Sequence, residues 1–132
     1  MKNFSINYSK GCIEALGTDE LNFIWGFAPL FAVRMRNSSG ELFKYEAQDA
    51  KEVRELADSF EYIFDCGISV EVCVTCNSNN GFTTWGINVK NNTNMAVECV
   101  DYPNIPFAPL KKNGGDGAIL FPYNEGVLID DA

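Results

Sequence analysis

Apolar and polar side chains alternate strictly through most of this chain, and a period of two specifies strands rather than helices. Ile68, Val70, Val72, Val74 and Cys76 alternate with Ser69, Glu71, Cys73 and Thr75, the pattern of a strand with one buried and one wet face. Trp85, Ile87 and Val89 alternate with Thr84, Gly86, Asn88 and Lys90. Between the two runs, Asn77-Ser78-Asn79-Asn80-Gly81 tolerates left-handed backbone, so they are predicted to pair as a hairpin. Phe31, Val33 and Met35 lead through Asn37-Ser38-Ser39-Gly40 into Leu42 to Tyr45, a second hairpin. Phe4, Ile6 and Tyr8, closed by Lys10-Gly11 with Cys12 to Leu16 returning, make a third. Phe60, Tyr62 and Phe64, interleaved with Glu61 and Asp65, read as a further strand.

Three stretches depart from this rhythm. Met95, Val97 and Cys99 do not share parity with Val100 and Tyr102, so the run needs a β-bulge, placed here after Cys99. Ala50, Val53, Leu56 and Ala57 fall near helical spacing, which fits either a short helix over Ala47 to Asp58 or a loop with a single helical turn. Beyond Tyr102, Pro103, Pro106 and Pro109 cannot donate to a ladder and mark a connection. Ala118 to Phe121 and Gly126 to Ile129 then read as two short strands about Pro122-Tyr123-Asn124-Glu125-Gly126. The fold class predicted is all-β, an antiparallel sandwich with at most one short helix, as a single domain over residues 1–132.

Composition narrows the function. Ten basic residues against eighteen acidic ones give a net charge of −8, which repels a phosphate backbone and an anionic membrane surface. Neither nucleic acid nor membrane is therefore expected as a partner. The absence of histidine removes Ser-His-Asp and Cys-His catalysis together with imidazole-ligated metal sites. Five cysteines, an odd and unevenly spaced set, suit reduced thiols better than a disulfide scaffold. With no apolar h-region in Met1 to Lys10, the expected location is cytoplasmic, or secreted if a signal peptide has been removed.

Individual motifs offer little chemistry. Cys73-Val74-Thr75-Cys76 has a metal-like spacing, but strand positions three apart point to opposite faces, so no zinc is expected. Cys76 is read as a small core residue and Cys73 as lying on the other face. Carboxylates such as Glu61, Asp65, Glu71, Glu98, Asp101, Asp116, Glu125, Asp130 and Asp131 are plentiful, but most occupy the wet positions of strands. No pair of them is assigned as catalytic, and no cofactor is called for. Gly114-Gly115-Asp116-Gly117 lacks the lysine-serine end and following helix of a phosphate loop. Trp85 belongs to the apolar face of its strand, whereas Trp25 lies in Asn22-Phe23-Ile24-Trp25-Gly26-Phe27-Ala28-Pro29, either an exposed ligand loop or a docking segment.

The order of motifs in the C-terminal third resembles a known family. Trp85 to Thr93, then Val97-Glu98-Cys99-Val100-Asp101-Tyr102-Pro103-Asn104-Ile105, then Leu120-Phe121-Pro122-Tyr123-Asn124-Glu125-Gly126-Val127-Leu128-Ile129, is similar to the N-terminal β-sandwich of certain bacterial glycoside hydrolases. There a supersandwich of the galactose-mutarotase-like type precedes a (β/α)₈ catalytic barrel. The resemblance implies that catalytic carboxylates come from a downstream barrel, so no catalytic residue is carried onto a position here. It also implies carbohydrate as a ligand, with Trp25 and Tyr123 as candidate binding residues, and a downstream catalytic domain of the same polypeptide as partner. An excised domain of that kind would expose strand edges through which a homodimer could form. The alternatives are an independent carbohydrate-binding or protein-interaction module and a small enzyme using two carboxylates.

Overall fold

The computed structural model describes residues 3–18, 20–76, 82–107, 118–121 and 127–130. Among these, the elements in chain order are β1 (Asn3–Asn7), β2 (Cys12–Gly17), β3 (Ala32–Arg36), β4 (Leu42–Glu46), a 3₁₀ turn (Ala47–Asp49), β5 (Glu52–Glu55), β6 (Phe60–Ile63), β7 (Ile68–Cys76), β8 (Thr83–Asn91), β9 (Ala96–Asp101), β10 (Ala118–Phe121) and β11 (Val127–Asp130). They form a four-stranded sheet β5-β6-β7-β8, a three-stranded sheet β4-β3-β9, and the two-stranded ladders β1-β2 and β10-β11. Every pairing is antiparallel. The all-β sandwich read from the alternation is the architecture observed.

The core lies where the inner faces of the two larger sheets meet. Val33 and Met35 of β3 share one buried cluster with Tyr62 of β6 and with Ile68, Val70 and Val72 of β7. Rings join the layers: Phe31 meets Tyr62 edge-on at 5.0 Å, and Tyr45 meets Phe64 at 5.8 Å. Such contacts add roughly 0.5–1.5 kcal/mol each beyond the area buried. The β1-β2 hairpin packs over the same inner face, with Phe4 edge-on to Trp85 at 5.6 Å and Tyr8 stacked on Phe60 at 3.6 Å. Trp85 also meets Tyr102 at 6.1 Å, so it is engaged with the core, as its strand parity requires. Gly11 has φ +62, and a Cβ there would approach the Ala47 methyl to 2.5 Å, so glycine is required on both counts where the hairpin meets the 3₁₀ turn.

The predicted hairpins are present. Val70 opposes Val89, Val72 opposes Ile87 and Val74 opposes Trp85, although the connection 77–81 lies outside the described residues. Asn37 closes the β3-β4 turn by accepting the N–H groups of Ser39 and Glu41 through its side-chain oxygen. Ala118 to Phe121 pairs with Val127 to Asp130, while the turn 122–126 is also outside the described set.

Three local expectations are refined or corrected. The helix over Ala47 to Asp58 shrinks to the single 3₁₀ turn, because Val53 turns inward as part of a strand paired with Tyr62. The bulge sits one residue earlier than placed. Arg34 opposes Cys99 and Met35 opposes Val97, leaving Glu98 as the surplus residue. Cys76 is not a core residue: it ends β7, beyond the reach of the facing sheet, and is exposed.

Candidate functional site

The aromatic stretch is built as a displayed strip. Asn22 fixes its start, its side-chain oxygen accepting the N–H groups of Leu16 and Ile24, each at 3.1 Å, while its amide donates to the Glu14 carbonyl at 3.3 Å. The Phe23 N–H then donates to the Leu16 carbonyl at 2.8 Å, and the Trp25 N–H to the Pro106 carbonyl at 2.7 Å. Ile24 turns into the core and bridges to Phe107 on the proline-rich segment. With Ile24 turned in, Phe23, Trp25, Phe27 and Phe107 stand out, at 41%, 57%, 60% and 61% exposure. A Cβ on Gly17 would overlap the Leu21 carbonyl oxygen, so the chain reaches Asn22 only past a bare glycine. Trp25 is thus an exposed ring on a pinned backbone. Tyr123, the other candidate sugar-binding residue, lies outside the described residues.

A second feature occupies the outer face of the four-stranded sheet. Register places Arg54, Glu61, Glu71 and Asn88 in one row across β5, β6, β7 and β8, with Glu52, Ile63, Ser69 and Lys90 in the next. Beside these rows is a groove of ≈ 200 Å³ lined by Glu61, Ile63, Ser69, Lys90 and Asn92 together with Phe64, Gly67 and Ile68. Glu61 and Glu71 are direct cross-strand neighbours, and strands in a sheet lie about 4.8 Å apart. Sequence reading did not single out this acid pair, because its closeness comes from the β6-β7 register. An acid–base pair needs surroundings that push the proton affinities of its two members apart. Glu71 instead accepts the Ser59 hydroxyl at 2.6 Å, and Glu61 faces Arg54. The row suits hydrogen bonding to hydroxyl groups better than turnover.

Three other candidate carboxylates, Asp65, Glu98 and Asp101, pair with cations on the surface. Asp101 accepts from Arg34 at 2.8 Å, Asp65 from Lys51 at 2.7 Å, and Glu98 binds Arg36 through both its oxygens. Hydrogen bonding to Arg36 holds the Glu98 carboxyl below its ordinary range, and hydrogen bonding to Lys44 does the same for Glu46. Cys73 and Cys76 do not converge: the Cys73 thiol contacts the Thr75 hydroxyl, and Cys76 accepts from the Thr83 hydroxyl. Among the described residues no group of three His, Cys, Asp or Glu side chains could hold a metal ion, and no helix is long and apolar enough to cross a membrane. No protein-family model, no curated protein and no solved structure matches this chain.

Proposed function

We propose that this chain is a non-catalytic β-sandwich domain of a glycoside hydrolase, supporting a catalytic barrel and contributing aromatic surface to its carbohydrate-binding cleft. The observation that supports this reading is the strip Phe23, Trp25, Phe27 and Phe107. Large rings left half in water forfeit about half of the roughly 1.5–3 kcal/mol that full burial brings each, and several on one segment mark a surface that meets a ligand or another domain. A ring fixed by its own backbone presents a flat apolar face to the C–H face of a sugar at little ordering cost.

The reading frame tests the proposal most directly. A barrel-encoding continuation after Ala132 is the expected result, and a stop codon there overturns it. On the isolated chain, retention on insoluble polysaccharide should fall on Trp25→Ala, while aryl-glycosides are not hydrolysed above background. Hydrolysis abolished by Glu61→Gln or Glu71→Gln would instead identify a small two-carboxylate enzyme.

A second reading, an independent carbohydrate-binding module, is favoured by the groove on the outer sheet face. Its carboxylate, ammonium, hydroxyl and amide surround an isoleucine, a combination suited to a polyhydroxylated ring. Retention lost on Glu61→Ala or Lys90→Ala but kept on Trp25→Ala would select it.

A further inference from the structure

The two larger sheets of the described structure have four edge strands, and three are protected against pairing with another chain. β5 has four residues and carries Glu52, Arg54 and Glu55. β4 has five and carries Lys44 and Glu46. β9 is broken by the bulge at Glu98 and also carries Asp101. Short length, charge and bulges are the standard devices against edge-to-edge association.

β8 is the least protected of the four, with no bulge and a single charge next to its C-terminal end. It runs for nine residues, Thr83 to Asn91, without proline. Its ladder with β7 is uninterrupted from Cys76↔Thr83 to Ile68↔Asn91. Among the described residues β7 is its one ladder partner, so its other edge carries main-chain donors and acceptors that no described strand pairs. Its one charged residue is Lys90, so β8 is the single edge of the four with net positive charge in a chain of net charge −8. Two acidic copies meeting edge to edge therefore repel least at this strand.

We propose that β8 is a homodimerisation edge, on which a second copy of the chain pairs antiparallel about a two-fold axis at Ile87. That register is the one that pairs all nine residues. Thr83 opposes the partner's Asn91, Thr84 the partner's Lys90, Trp85 the partner's Val89, and Gly86 the partner's Asn88. No like charges face one another, and each aromatic–β-branched pair is of a favourable cross-strand kind. The result is an isologous contact that closes on itself and joins the two four-stranded sheets into one of eight strands. The contact is independent of the glycoside hydrolase reading.

Thr84 and Lys90 are both exposed on the outer face, so variants at these positions test the contact without touching the core. Sedimentation velocity across a concentration series should show a monomer–dimer equilibrium for the native chain. Thr84→Lys sets ammonium groups opposite one another at two symmetry-related places and should weaken the dimer about tenfold. Combining it with Lys90→Glu sets opposite charges against each other in that register and should recover association, more strongly at low salt. Circular dichroism checks that each variant keeps its strands. A native chain monomeric at every concentration overturns the proposal. So does a dimer indifferent to all three forms, which would move the contact to the aromatic strip or the C-terminal strands.

Discussion

The phenol of Tyr62 donates to the main-chain oxygen of Tyr8 at 2.9 Å, a bond from the four-stranded sheet to the N-terminal hairpin. Tyr102 packs near the same hairpin, yet among the described residues its enclosed hydroxyl has no hydrogen-bond partner. Burial pushes both phenols well above the ordinary tyrosine range. The two rings therefore predict opposite outcomes for the same substitution. Tyr62→Phe should lose about 1 kcal/mol, while Tyr102→Phe should be neutral or stabilising. Urea unfolding of the two variants measures this, and a larger loss for Tyr102→Phe would contradict the assignment.

The bulge at Glu98 makes both its side chain and the residue itself dispensable for the β3-β9 pairing. Glu98→Gln removes the charge of an exposed ion pair, and such pairs contribute little. Its midpoint of thermal unfolding should stay close to that of the native chain. Deleting Glu98 removes the surplus residue, makes Met35↔Val97 and Arg34↔Cys99 consecutive rungs, and leaves Met95 and Val100 in phase, so both core-packed side chains stay on the inner face of a regular strand. The deletion should therefore cost no more than about 1 kcal/mol, below the roughly 2–5 kcal/mol of a large apolar side chain lost from the core. A deletion variant destabilised by as much as a core truncation would contradict the placement of the bulge.

Thiol reactivity should follow position rather than motif. Cys66, Cys76 and Cys99 are exposed, Cys73 is half-buried and Cys12 is buried. Burial, with Glu14 nearby, pushes the Cys12 thiol up. Titration with a thiol reagent should modify three cysteines quickly, Cys73 slowly and Cys12 only on unfolding. Peptide mapping after mild oxidation should find no Cys73–Cys76 disulfide, since the two side chains leave β7 on opposite faces. Finding that disulfide would mean this end of β7 is not a regular strand.

The pH profile should be a plateau with two shoulders. Glu14, Glu46, Glu52 and Glu98 are all held below their ordinary range, chiefly by hydrogen bonds from Asn7, Lys44, Arg54 and Arg36. Their contribution is complete above the unfolded glutamate value of about 4.3 and is lost as pH falls through the lowered native values. Tyr62 and Tyr102 have raised native values, so they favour the folded state below about pH 10 and lose that contribution as pH climbs further. With no histidine in the chain, unfolding free energy should be flat between about pH 6 and 8. A midrange transition in chemical denaturation scans would contradict this.

What could be read from the sequence was local. Asn37 to Gly40 sits between runs of fixed parity, and both the turn and the pairing of Val33 with Tyr45 follow from residues a few positions apart. The alternation around Cys99 required a surplus residue, but parity alone does not say which residue it is. Over Ala47 to Asp58 the helical spacing was coincidental: Leu56 and Ala57 are exposed in the turn before β6, where the Leu56 N–H donates to the Ser59 carbonyl. In the candidate site, the exposure of Trp25 fits both readings left open, a ligand loop and a docking segment. The bonds by which Asn22 holds the strip, and the meeting of Glu61 with Glu71, depend on partners chosen at long range.

The placement of β9 has a consequence for the order in which the chain acquires structure. Although β9 follows β8 directly, it crosses to the other sheet and pairs with β3, so that Ala32 waits for Asp101. Hairpins such as β3-β4 and β7-β8 join segments nearby in sequence and can close within microseconds. The β3-β9 ladder must close a far longer loop and should come late. During synthesis, Val33 and Met35 would remain open along one edge until the Ala96 to Asp101 segment has left the ribosome. Substitutions that weaken β9 should therefore appear first as poor soluble yield, before any loss of stability is measurable in the purified protein.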